Sequence, residues 1–312
     1  MSEAESEEGS KITPEAAFAA IGNETRLRIL HELWDAAEGP VPFTDLRKRV
    51  GMRDSSQFNY HLEQLIGPFV RKTEEGYRLR VAGAEIIWAV MMETYAAPVR
   101  LDPFEISGTC VVCGSSLRAR YDDGMLFVEC SACGQAHEGG LFSATGLLGR
   151  TNEEIVAAFH YQIRRVQTLS TKGVCWGCDG AVTPVVMNDQ EDVPERVPDD
   201  YGTTLYQFGV KYECEHCTRW SSHAIGLVLL SHPTVIGFYD EHGIDLINTP
   251  YWEFAWSVSD ERTTLVSQDP WLARVTIPLG DEELRATIDG ELTITEIERV
   301  DVEATAEADE TA

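Results

Sequence analysis

Apolar residues recur at helical spacing through the first hundred positions and at alternating spacing through most of the rest. Thr13-Pro14-Glu15 is a helix start, with threonine as cap and proline in the first turn, and Ala16 to Ile21 completes that helix. Asn23-Glu24-Thr25 opens a second, whose stripe of Leu27, Ile29, Leu30, Leu33 and Trp34 ends near Gly39-Pro40. Phe43 to Val50 is a third, with Leu46 and Val50 inward and Arg47, Lys48 and Arg49 outward. Gly51 suits a tight turn. Asp54 and Gln57 form a capping-box pattern that starts a fourth helix. Its Phe58, Leu62 and Leu65 face inward, and Ser55, Ser56, Asn59, Tyr60 and Glu63 face out. Phe69–Thr73 and Tyr77–Arg80 read as a hairpin joined by Glu74-Glu75-Gly76, followed by an apolar helix over Ala82–Tyr95. This order is that of a winged helix-turn-helix. An ordinary amphipathic surface helix is the bland alternative for the fourth element.

Leu101–Gly108 reads as a linker. Strand patterns Leu117–Tyr121 and Leu126–Glu129 flank an Asp122-Asp123-Gly124 turn. Thr151 and Glu154 form a second capping box, opening a helix to about Leu169. Ala181–Met187 and Leu205–Tyr212 read as strands around an acidic, proline-bearing insertion, Asn188 to Gly202. His232–Gly243 reads as a helix. Beyond Pro250 the pattern alternates: Phe254, Trp256 and Val258 in one strand, Val275 and Ile277 in another, then Leu284–Ile288 and Leu292–Ile294 around a turn at Asp289-Gly290. The rings of Tyr251, Trp252, Phe254, Trp256 and Trp271 could line a pocket, but core is the commoner use.

Eight cysteines change the picture, because all lie in Cys-x-x-Cys pairs: Cys110/Cys113, Cys130/Cys133, Cys175/Cys178 and Cys214/Cys217. Such pairs between strands suit tetrahedral zinc rather than a redox dithiol, which opens a helix. Four thiolates per site leave no open position, so two structural zinc ions are expected, each able to supply ~10–16 kcal/mol of apparent binding energy. Sequence-adjacent pairing is the simplest, and crossed pairing stays open. His137, His216 and His223 read as surface or packing residues rather than ligands.

Net charge is −27, which taken alone opposes nucleic acid. The distribution reverses that inference. Residues 11–100 hold 12 basic and 12 acidic groups, leaving 13 basic and 40 acidic elsewhere. Only five of the 25 basic residues are lysine, a composition expected of a halophilic cytosol where salt screens self-repulsion. Within the neutral segment, Arg47, Lys48, Arg53, Arg71, Lys72, Arg78 and Arg80 concentrate on the third helix, the turn and the wing, where phosphate contact is expected. Ser55, Ser56, Gln57, Asn59 and Tyr60 suit base edges in a major groove.

The run Phe18-x-x-Ile21-Gly22-Asn23-Glu24-Thr25-Arg26-Leu27-Arg28-Ile29-Leu30 resembles the first-helix signature of arsenic-repressor-like winged-helix regulators. Asn59-Tyr60-His61-Leu62-x-x-Leu65 resembles their recognition helix. The resemblance covers residues 11–98 and implies a homodimer reading a palindromic operator in double-stranded DNA. It does not carry over metal-sensing cysteines, since Phe43–Val50 has none. The remainder resembles haloarchaeal regulators with appended zinc-ribbon-like domains.

The expected architecture is α+β and multidomain: an acidic disordered start (1–10), a winged helix-turn-helix (11–98), a first zinc ribbon (104–145), a connecting helix (151–170), a second zinc-ribbon-like and β-rich domain (171–300) and an acidic tail (301–312). No nucleophile–base pair or glycine-rich phosphate loop stands out, so an enzyme is not expected. No apolar run spans a bilayer and the N-terminus is unlike a signal peptide, so a cytoplasmic location is expected. The expected function is transcriptional regulation, with an unknown effector or protein partner at the C-terminal region. The alternative is a zinc-ribbon interaction or RNA-binding module whose winged helix binds protein.

Overall fold

A computed structural model describes residues 12–36, 39–92, 99–187 and 206–302. The chain divides into two compact units at residue 96.

The first unit holds α1 (Pro14–Ile21), α2 (Glu24–Asp35), α3 (Phe43–Arg49), α4 (Ser55–Glu63), the hairpin β1 (Val70–Lys72) and β2 (Tyr77–Leu79), and α5 (Val81–Met91). Caps set its helix starts. Thr13 accepts from the N–H of Ala16, Asn23 from Arg26, and Asp54 from both Ser56 and Gln57. Helix α2 stops at Asp35, short of the expected Gly39-Pro40. Leu30, Leu46, Phe58, Leu62 and Leu65 are fully buried in one core. Phe43 meets Phe58 edge-on at 5.1 Å, coupling α3 to α4. Val41 and Tyr77 exchange backbone hydrogen bonds, so the hairpin is clipped to the strand-like residue before α3. Gly76 permits that approach, because a Cβ there would lie 2.4 Å from the Val41 carbonyl oxygen.

The described residues of the second unit form three antiparallel sheets. The first joins β3 (Leu101–Thr109), β4 (Ser116–Asp122), β5 (Met125–Cys130) and β6 (Ala136–Leu141). The second joins β7 (Val182–Met187), β8 (Gly209–Cys214) and β9 (Trp220–Ala224). The third joins β10 (Thr263–Gln268), β11 (Trp271–Leu279), β12 (Glu282–Asp289) and β13 (Ile294–Asp301). Helices α6 (Asn152–Ser170), α7 (Pro233–Glu241) and α8 (Ala255–Val258) complete it. The Thr151 capping box starts α6. This helix lies on β6, where a Cβ at Gly140 would meet Ile163 Cδ1 at 2.7 Å.

One pattern occurs twice. A cysteine turn, two antiparallel strands, a second cysteine turn, a third strand, a 3-10 segment and a helix run from Cys110 to Ser170 and again from Cys175 to Glu241. The first 3-10 segment is Ala144-Thr-Gly-Leu147, and the second is entered through the matching Ala224-Ile-Gly-Leu227. The copies share one hydrophobic core, which includes Leu117, Val128, Phe159, Tyr212, Trp252 and Ile277.

Several sequence expectations are corrected. Leu101–Gly108 is not a linker but most of β3, with Leu101, Phe104 and Ile106 packed on the core and Asp102-Pro103 at a register irregularity. Phe254–Val258 is not a strand. It turns into α8, where Ser257 Oγ donates to the carbonyls of Tyr251 and Phe254. Alternation over five residues cannot separate a strand from a buried helical turn. Leu292 lies in the turn with a positive φ of 63°, and the last strand starts at Ile294 and runs to Asp301. Strands β6, β9 and β10 have no counterpart in the sequence reading. The expected ends at Tyr95 and Leu205, the insertion 188–202, the start 1–10 and most of the tail lie outside the described residues. Trp252 and Tyr251 are fully buried, so those rings serve the core.

Candidate metal centres and a polar helix face

Each cysteine turn is built the same way. The first cysteine's N–H donates to the carbonyl five residues on, and its carbonyl accepts from the N–H four residues on. This holds at Cys110, Cys130, Cys175 and Cys214. The residue four on has positive φ every time: Gly114 and Gly134 in the first copy, Asp179 and Thr218 in the second. The turns aim N–H groups at sulfur. Ala132 and Cys133 donate to Cys130 Sγ, and His216 and Cys217 to Cys214 Sγ, all at 3.4 Å.

The turns gather the thiols into two groups. Cys110, Cys113, Cys130 and Cys133 form one, and Cys175, Cys178, Cys214 and Cys217 the other, with all ligand atoms in each group within 4.8 Å of one another. The pairing is thus sequence-adjacent. Close sulfur–sulfur contacts are 3.5–3.8 Å in the first group and 3.5–3.6 Å in the second. A tetrahedral tetrathiolate ion with metal–sulfur bonds of about 2.3 Å requires sulfur edges of about 3.8 Å, so both groups fit a metal ion. A disulfide needs sulfurs about 2.05 Å apart, and all eight cysteines are free. In the absence of metal, Cys113 is lowered to about 6, first by the Ser115 hydroxyl and then by the Ser115 backbone. Cys214 is lowered to about 6, first by the Cys217 N–H, against the cost of burial. Cys130 in the first group is lowered as well, first by the Cys133 N–H. His137 and His223 are buried and His216 exposed, and none joins a group.

The first unit presents a different kind of site. On α4, Phe58 and Leu62 are buried while Ser55, Ser56, Gln57 and Tyr60 are exposed. Asn59 is half-buried, and its Nδ2 donates to Glu63 Oε1 at 2.7 Å. The cations divide. Arg53, Arg71, Lys72 and Arg78 are exposed, with no carboxylate partner among the described residues. Arg47 instead donates from Nη1 to the carbonyls of Met52 and Arg53 at 3.0 and 2.6 Å, bracing the turn before α4. Arg80 donates to the Gly67 carbonyl. Lys48 lies 3.6 Å from Asp45. Among the described residues no helix is long and apolar enough to cross a membrane.

The sequence reading missed two features. One is a polar junction between the copies: Glu138, Tyr251, Ser222, Tyr206 and His223. The other is a pair of arginines, Arg165 and Arg219, at the third cysteine turn. The repeated Ala-x-Gly-Leu would have aligned the copies and exposed Arg219 against Gln135.

The protein is thus an α+β chain with two four-cysteine centres in its larger unit. Residues 107–294 match a family model described as a domain of unknown function (DUF7351), and residues 14–90 match another, a domain of unknown function (DUF7347). The first match covers more than half of the chain, which therefore belongs to that family. No curated protein matches.

Proposed function

We propose that this protein is a sequence-specific DNA-binding transcriptional regulator and not an enzyme. On this reading its N-terminal unit is a dimeric, arsenic-repressor-like winged helix. Its two cysteine centres hold structural zinc in zinc-ribbon-like modules, and it works in the cytoplasm. The observation that carries the reading is the two-faced α4, whose polar face opens with Ser55, Ser56, Gln57 and Tyr60 in solvent. Short hydroxyl and amide side chains at the start of an exposed helix suit major-groove edges. Arg53 beside that helix, and Arg71, Lys72 and Arg78 on the hairpin, supply phosphate contacts in a chain otherwise dominated by carboxylates. Arg47 and Arg80 support the geometry through their backbone contacts.

The test is salt-dependent footprinting on the protein's own promoter region. Gln57→Ala should cost ~1–3 kcal/mol of discrimination at its base pair. Arg71→Ala and Arg78→Ala should each lower the salt slope by about 1 and weaken all sequences alike. Unchanged operator affinity when Gln57→Ala, Arg71→Ala and Arg78→Ala are combined would sink the assignment and favour a head that binds protein.

A further inference from the structure

The repeat allows the two metal centres to be compared turn by turn, and they differ in their surroundings. At the third turn, a single peptide group links a cation to a sulfur. Arg165 Nη2, on α6, donates to the Trp176 carbonyl at 3.1 Å. The N–H of that same peptide, on Gly177, donates to Cys175 Sγ at 3.4 Å. A cation on the carbonyl polarises the peptide and strengthens the N–H···S bond at its other end. A second guanidinium lies across the turn. A Cβ on Gly177 would sit 2.0 Å from Arg219 Nη1 and 2.7 Å from its Cζ, so the Arg219 side chain, from the opposing turn, lies close against Gly177. Neither arginine has a carboxylate partner among the described residues.

Among the described residues, the first centre shows neither contact. Gln135 stands where the second copy has Arg219, five residues after its cysteine. Val112 stands where the second copy has Gly177, and it is 61% exposed. The Val111 carbonyl has no side-chain donor among the described residues. Two thiols of this centre, Cys113 and Cys133, are exposed, against one, Cys178, in the other. A metal ion bound by four thiolates carries a net charge of −2, and a nearby guanidinium stabilises that dianion and makes its sulfurs poorer targets for protons or competing ligands.

We propose that the second centre holds its metal permanently and the first is an exchangeable site. The first is the place where a competing thiophilic ion or chelator acts on this protein. Arg165 and Arg219 are the residues that set the difference. The inference rests on the reading that both centres hold zinc.

The experiment uses the full chain loaded with zinc and a chromogenic chelator. Release should be biphasic, one equivalent leaving at least about tenfold faster than the other. Arg219→Gln, which copies Gln135, should speed the slow equivalent, and Gln135→Arg should slow the fast one. Arg165→Gln should speed the slow equivalent too, giving a second route if Arg219→Gln folds poorly by circular dichroism. Two equivalents leaving at one rate, or a slow phase indifferent to both arginine substitutions, would overturn the proposal while leaving the zinc reading intact. Fewer than two equivalents bound at the outset would overturn both.

Discussion

The Tyr251 hydroxyl donates to Glu138 Oε2 at 2.6 Å, joining the turn before α8 to the last strand of the first copy. The same carboxylate oxygen lies 3.7 Å from His223 Nδ1 on β9, and Glu138 Oε1 accepts from the Gly139 N–H at 2.9 Å. One largely buried carboxylate thus ties together three segments distant in sequence. Hydrogen bonds to charged groups are worth roughly 1.5–3 kcal/mol, and Tyr251→Phe removes this one without changing the ring. The variant should lose about that much stability in urea unfolding, with metal content unchanged. An unaltered midpoint would show that the junction contributes nothing.

Acid should weaken this unit through His137. Burial lowers its ring to about 4 from the ordinary 6.5. The unfolded chain takes up the proton first, so the stabilisation is complete above pH 6.5 and drains away as pH falls toward 4. The full effect is roughly 3 kcal/mol. His160 is lowered in the same direction by burial and adds to the slope. Unfolding of the native chain and of His137→Gln, followed between pH 7 and 5 with metal content monitored, checks this. Identical slopes in the two would rule His137 out.

Cys130 is fully buried within the core shared by both copies. Cys130→Ser should therefore lose one metal ion and loosen strands of the second copy as well as residues 104–145. Hydrogen exchange at β7–β9 reads the difference. The N-terminal unit has its own core and should keep its protection. Full protection of β7–β9 in the variant would contradict the shared core.

The proposed dimer needs exposed apolar side chains, and α1 and α5 each carry them. Phe18 is 72% exposed, and Trp88, Met91 and Met92 are exposed too. Ile87 on the same helix is buried inside its own unit. Met91→Glu with Met92→Glu should leave the fold intact and yield monomers by light scattering, with operator affinity down at least about tenfold. A native chain that is monomeric at working salt would end the dimer reading.

Local chemistry was readable without coordinates. Thr13, Asn23, Asp54 and Thr151 start the helices they were expected to start, because a cap needs only its neighbours. The cysteine pairs were readable for the same reason. What escaped depends on contacts far apart in the chain. Strand β3 was hidden because its Asp102-Pro103 looks like loop and its apolar residues count only once β4 lies beside them. Glu138 carries no mark of its partner Tyr251, 113 residues away. Arg165 looked like any exposed helical arginine until the Trp176 carbonyl was found within its reach.

Two related ribbons that pack in one chain meet at a fixed effective concentration, which for short tethers is of millimolar order. Dilution cannot separate them, and their seam is as complete in a cell holding ten copies as in one holding ten thousand. Any association of the N-terminal unit with a second molecule has no such guarantee. Copy number would then govern what the head can do, while the cysteine-bearing unit keeps the same form at every expression level.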